Sequence, residues 1–75
     1  MSTTTTYTVS GMTCDHCVAA VTQEVSKLRG VTTVDINLVA GGESTVTVSS
    51  DSPLPEGDVR DAVDEAGYEL TGVAG

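Results

Sequence analysis

The chain has 75 residues, 39% of them hydrophobic, with no Phe or Trp, and its eleven Asp and Glu against three Lys and Arg leave a net charge of −8. That length holds one domain with a small core built mostly from Val, Ala and Leu. The acidic balance argues against a nucleic-acid partner, which wants a basic footprint, and against docking on an anionic membrane surface.

The chain opens Met1-Ser2-Thr3-Thr4-Thr5-Thr6-Tyr7, with neither a basic segment nor an apolar one, so it does not read as a signal peptide. No stretch approaches the roughly 18 apolar residues of a membrane span, and no membrane insertion is expected. The expected location is cytoplasmic, where thiols stay reduced and a close cysteine pair binds metal or does redox work. A Met at the start and a short ending at Gly75 favour a free-standing protein over an excised domain.

In chain order, Tyr7 and Val9 alternate with Thr6, Thr8 and Ser10, the pattern of a strand with one apolar face. Val18, Val21, Val25 and Leu28 recur at helical spacing, with Lys27 and Arg29 placed for the helix carboxyl end and Gly30 as its terminator. Val34, Ile36 and Leu38 alternate with Asp35 and Asn37. Ala40-Gly41-Gly42-Glu43 then makes a hairpin turn into the strand of Val46 and Val48. Pro53 and Pro55 lead into a second helix, where Glu56 and Asp58 suit the positive end and Val59, Ala62, Val63 and Ala66 form the stripe. Gly67 stops it, and Tyr68 to Val73 reads as a last strand.

The order β-α-β-β-α-β predicts an α+β, ferredoxin-like sandwich with both helices on one face of a four-stranded antiparallel sheet. The expectation is a single domain over residues 1–75, with an ordered core of about 6–73. This topology gathers three loops at one end of the sheet: Gly11 to His16, the hairpin at Ala40 to Glu43, and the chain at Tyr68.

Cys14-Asp15-His16-Cys17 straddles the turn from the first strand into the first helix. Cys17 is expected in the first helical turn, where unpaired N–H groups and the dipole favour a thiolate, with Cys14 just before it on the loop. Two thiolates suit Cu(I), which is content with low coordination, whereas Zn(II) normally wants four ligands, and the chain has no Cys or His beyond Cys14, His16 and Cys17. Cysteine as a small buried hydrophobe could explain one of the two but explains the pair poorly. A thiol–disulfide oxidoreductase is the rival, though the element order and length do not suit a thioredoxin-like fold. Val18 after the second cysteine removes c-type haem.

Gly11-Met12-Thr13-Cys14-Asp15-His16-Cys17 resembles the signature of the heavy-metal-associated (HMA) domain family, as do the helix stripes and the Gly67-Tyr68 ending. Within that family the likeness is nearest to bacterial CopZ-type copper chaperones. The resemblance implies a cytosolic Cu(I) chaperone and not an enzyme, with Cys14 and Cys17 as the metal ligands. It implies that Met12 is an inward-pointing packing residue, that Tyr68 stands beside the metal loop, and that the partner is the N-terminal domain of a copper-transporting P-type ATPase. A copper-responsive repressor is a second candidate partner. His16 is expected to tune the thiols, with ligation between two molecules as the alternative, and Asp15 to serve as a helix N-terminal acid. An apo monomer and a copper-bridged dimer are expected. The alternative reading within the family is the metal-binding domain of a copper ATPase itself. Mercury-binding relatives usually carry a signal peptide, and zinc-preferring ones often have an acidic residue where Thr13 stands here.

Overall fold

Six elements follow in the predicted order: β1 (Thr3–Ser10), α1 (Asp15–Ser26), β2 (Val31–Asn37), β3 (Ser44–Ser50), α2 (Glu56–Glu65) and β4 (Glu69–Val73). The structure is a computed structural model that describes residues 2–13 and 15–74, Asp15 by its backbone alone. The strands form one sheet in the order β2-β3-β1-β4, every neighbouring pair antiparallel. β1 and β2 therefore run parallel to each other, on either side of β3. This is the ferredoxin-like arrangement that the sequence predicts.

The two faces of the sheet differ in chemistry because side chains alternate along each strand. Tyr7 pairs with Val46 and Thr5 with Val48, while Val34 and Ile36 of β2 pair with the same two valines, so one face is apolar. The other face carries hydroxyls, with Thr4 Oγ1 3.2 Å from Ser49 Oγ and Thr6 Oγ1 3.3 Å from Thr47 Oγ1. Such cross-strand pairs explain why β1 begins at Thr3, ahead of the apolar alternation: the Thr run pairs with Ser50 to Thr47. A β-bulge in β4 opposite Thr8 and Val9 leaves Thr71 as the extra residue, and its hydroxyl donates to the Thr8 carbonyl at 3.1 Å.

Both helices cover the apolar face, α1 packing on β2 and on α2, and α2 also packing on β4. The core joins Tyr7, Val9, Val46 and Val48 from the sheet to Val21 and Val25 of α1 and Val59, Ala62 and Val63 of α2. Val59, Ala62 and Val63 form the stripe of α2 as predicted, while Ala66 is its half-buried C-cap. The stripe of α1 is rotated: Cys17, Val21 and Val25 are buried at intervals of four, while Val18 is only half-buried. The helix also ends at Ser26, earlier than Gly30, so Lys27 and Arg29 are not in its last turn. The chain tightens there through bonds from Lys27 N–H to the Glu24 carbonyl and Leu28 N–H to the Val25 carbonyl. Lys27 Nζ reaches the Glu24 carboxylate at 2.9 Å, an exposed pair worth about 0.5 kcal/mol at most.

The end of α2 is more specific. Gly67 N–H donates to the Asp64 carbonyl at 2.9 Å and Tyr68 N–H to the Val63 carbonyl at 3.1 Å, with Gly67 at φ +94°. This is a Schellman ending, which needs a left-handed residue after the C-cap, and glycine supplies it without a Cβ clash. The motif fixes how the chain leaves α2 and therefore where Tyr68 enters the sheet end.

Candidate metal centre

The end of β1, the start of β3 and the start of β4 lie side by side, because Val9 pairs with both Ser44 and Leu70 and Ser10 pairs with Glu69. The expected convergence of loops is therefore present. Beyond Ser10 the chain turns at Gly11, whose φ of +92° is a left-handed conformation. A Cβ placed on Gly11 would stand 3.6 Å from Tyr68 Cδ1, so the aromatic ring lies against the loop's first residue. Ser10, Gly11, Asp64, Tyr68 and Glu69 line a shallow cleft at this place. Among the described residues its lining includes the carboxylates of Asp64 and Glu69.

Met12 is 1% exposed and belongs to the core cluster. Its side chain packs in that cluster and anchors the loop from below. Thr13 is exposed. Cys14 lies outside the described residues, and its expected place as a metal ligand is taken up below as a proposal.

Cys17 is the third residue of α1 and is 6% exposed. It belongs to the same apolar cluster as Val21 and Val25, so packing accounts for part of its setting. Its sulfur has polar contacts as well. Thr13 N–H donates to Cys17 Sγ at 3.4 Å, and Thr13 Oγ1 lies 3.8 Å from the same sulfur. Helical side chains tilt toward the N-terminus, which carries this sulfur back over the loop that precedes the helix. The contact was not read from the sequence; the only trace of it there is the spacing of four between Thr13 and Cys17. His16, one position earlier on α1, is exposed.

The loop of Gly11 to Thr13, the first turn of α1 and the Tyr68 corner thus form one unit at one end of the sheet. The same span agrees with a known family: residues 6–69 match the model of the heavy-metal-associated domain. The chain belongs to the heavy-metal-associated domain family. Among similar proteins, the copper chaperone CopZ of Bacillus subtilis (strain 168) is 42% identical over 66 residues, covering 87% of this chain and 91% of that protein. The N-terminal domain of a potential copper-translocating P-type ATPase from Bacillus subtilis, solved in its Cu(I)-loaded state, superposes with a TM-score of 0.69 at 28% identity and covers 96% of this chain and 92% of that one. The N-terminal domain of ZntA in its apo form reaches a TM-score of 0.81 at 29% identity, covering 96% and 93%. These two N-terminal domains therefore share this fold over nearly the whole chain. No helix among the described residues is long and apolar enough to cross a membrane.

Proposed function

We propose that the protein is a cytoplasmic copper chaperone that holds Cu(I) between the thiolates of Cys14 and Cys17. The observation that carries this reading is the match to a copper chaperone at 42% identity over nearly the full length, joined to the Gly-Met-Thr-Cys-Asp-His-Cys segment at the start of α1. The donor chemistry agrees: two soft sulfurs suit a closed-shell soft ion that accepts two ligands. The cargo is carried and not transformed, so no catalytic residue is assigned.

Transfer proceeds in this reading by ligand exchange. A partner cysteine binds the ion, a three-coordinate sulfur intermediate forms, and one donor thiolate leaves at a time, no bond to carbon being made or broken. The partner is the N-terminal domain of a copper-transporting P-type ATPase, with a copper-responsive repressor as the second candidate. Support comes from the likeness to the Cu(I)-loaded ATPase domain. It comes also from the concentration of exposed acids on α2 (Glu56, Asp58, Asp61, Asp64 and Glu65), which suits a basic docking surface and a salt-sensitive encounter. The unit is a single domain, monomeric without copper and bridged into a dimer by it.

Titration of the reduced protein with Cu(I) against a chromophoric chelator tests the reading. Tight binding of one ion, lost in Cys14→Ser and in Cys17→Ser, is the expected result; tight binding that survives both changes would end it. The same likeness supports the alternative that these residues form the metal-binding domain of an ATPase. An antibody against the chain distinguishes them, since a chaperone is detected as a soluble species of this size and an ATPase domain as part of a large membrane polypeptide.

A further inference from the structure

The charges of this chain are sorted along its length. Its Lys and Arg side chains are Lys27, Arg29 and Arg60, and all lie away from the end where α1 begins and Cys17 stands. Lys27 and Arg29 follow α1, and Arg60 reaches back to Glu56 in the first turn of α2 at 2.9 Å. Arg29 lines a cleft with Gly30, Asp51 and Pro53, where β2 starts and β3 has ended, at the opposite end of the sheet. The cysteine end carries Glu43 on the hairpin, Asp64 and Glu65 in the last turn of α2, and Glu69 at the start of β4, each of them exposed. Asp64 and Glu69 share the cleft of Tyr68 and Gly11. His16 is the one group described at that end that can take up a positive charge. We propose that this distribution sets the protein against pairing with a second copy of itself and fits it to a partner whose facing surface is basic. The inference rests on the carrier reading above.

Two chains that share one ion must bring their cysteines together, so their cysteine ends face each other. Copies related by a two-fold axis present the same patch to one another. The carboxylates of Glu43, Asp64, Glu65 and Glu69 then meet the same four carboxylates. Like charges placed across an interface oppose association, and such repulsion separates right partners from wrong ones. The interaction scales with the product of the two facing charges, so a basic surface reverses its sign. Salt screens both cases. It therefore strengthens the self-pair and weakens the pair with a basic partner. The copper-bridged dimer is a weak species at low ionic strength and grows as salt is added.

Sedimentation equilibrium of the Cu(I)-loaded protein measures the self-pair in sodium methanesulfonate, whose anion is a poor copper ligand. Between about 20 mM and about 500 mM the screening length falls from about 20 Å to about 4 Å. Dimer affinity is expected to rise about tenfold over that range. In the double variant Asp64→Asn, Glu69→Gln the repulsion falls to about a quarter, and most of the salt effect should vanish. The double variant Asp51→Asn, Asp58→Asn removes as much charge at the opposite end and should leave the effect in place. A copy with Glu43→Lys, Asp64→Lys and Glu69→Lys is expected to pair with the wild type at low salt in preference to the wild type pairing with itself. A self-pair that is constant, weakens with salt or is absent at both concentrations would overturn the proposal, as would far-end substitutions that change it equally.

A second measurement needs no metal. The thiols of the reduced protein are timed against a dianionic aromatic disulfide and against an uncharged dipyridyl disulfide. The ratio of the anionic to the uncharged rate is expected to rise about 3-fold with salt, and to be higher at low salt in Asp64→Asn, Glu69→Gln. An unchanged ratio would overturn the acidic field at the cysteines. Should the wild type bind no Cu(I), the carrier reading fails and the dimer claim with it, while the disulfide ratio still decides whether the cysteine end repels anions.

Discussion

The ring of Tyr68 lies against Gly11, its Cδ1 3.6 Å from where a Cβ on that glycine would stand. Gly11 opens the loop that leads to the cysteines, and Tyr68 follows the Schellman ending of α2. The contact therefore ties the loop between β1 and α1 to the far helix through the sheet end they share. It also separates two reasons for glycine at this position. The spacing is ordinary van der Waals contact, but a φ of +92° is costly for any residue with a Cβ.

Gly11→Ala is accordingly expected to destabilise the apo protein by about 1–2 kcal/mol through its backbone and not through the ring. Urea unfolding of Gly11→Ala, Tyr68→Ala and the double variant checks this. The two costs should add to within about 0.5 kcal/mol. A double variant much more stable than the sum would mean that the ring causes the strain.

Met12→Ala is expected to cost about 2–4 kcal/mol of stability in the metal-free protein, because it removes a side chain that is 1% exposed in the shared core. Met12→Leu keeps the volume and should cost less than about 1.5 kcal/mol while leaving Cu(I) affinity unchanged. A Met12→Leu variant that folds normally but loses Cu(I) would assign the thioether to the metal instead.

At the end of α2, Gly67→Ala should lower stability by about 1–2 kcal/mol, since φ is +94° there. In a domain of this size that is a fall of roughly 4–16 °C in Tm. Gly67→Asn should lose less, because asparagine tolerates the left-handed region better. Equal losses for the two variants, read by thermal unfolding, would count against the backbone explanation.

His16 is exposed on the first turn of α1. His16→Ala is expected to change affinity for the first Cu(I) by less than about tenfold, the lower end of what an outer-sphere partner contributes. Chelator competition measures it. A larger loss in dilute, monomeric protein would make the imidazole a ligand.

Much of this molecule was legible in its residues. The alternation of Tyr7 and Val9, the helical recurrence of Val59, Ala62 and Val63, and the glycines and prolines between them are local signals, and they sufficed for the element order and the fold. The start of β1 at Thr3 was not legible, because a run of threonines has no apolar alternation and becomes a strand only by pairing with β3. The rotation of α1 was misread for a related reason. Val18 and Cys17 are neighbours on the helix, and either could face inward until the sheet beneath them is in place.

The cysteine pair, its spacing and its position at a helix start were properties of the sequence alone, since metal-ligand chemistry depends on residue type and helix starts on local backbone signals. The tertiary structure decided the rest. It put Cys17 rather than Val18 against the core, sank Met12 beneath the loop, brought Tyr68 onto Gly11 and aimed Thr13 at the Cys17 sulfur. Each of these depends on how helices seat on a sheet and on which strand ends meet. Such relations join residues distant in the chain and are set by packing, which no local pattern encodes.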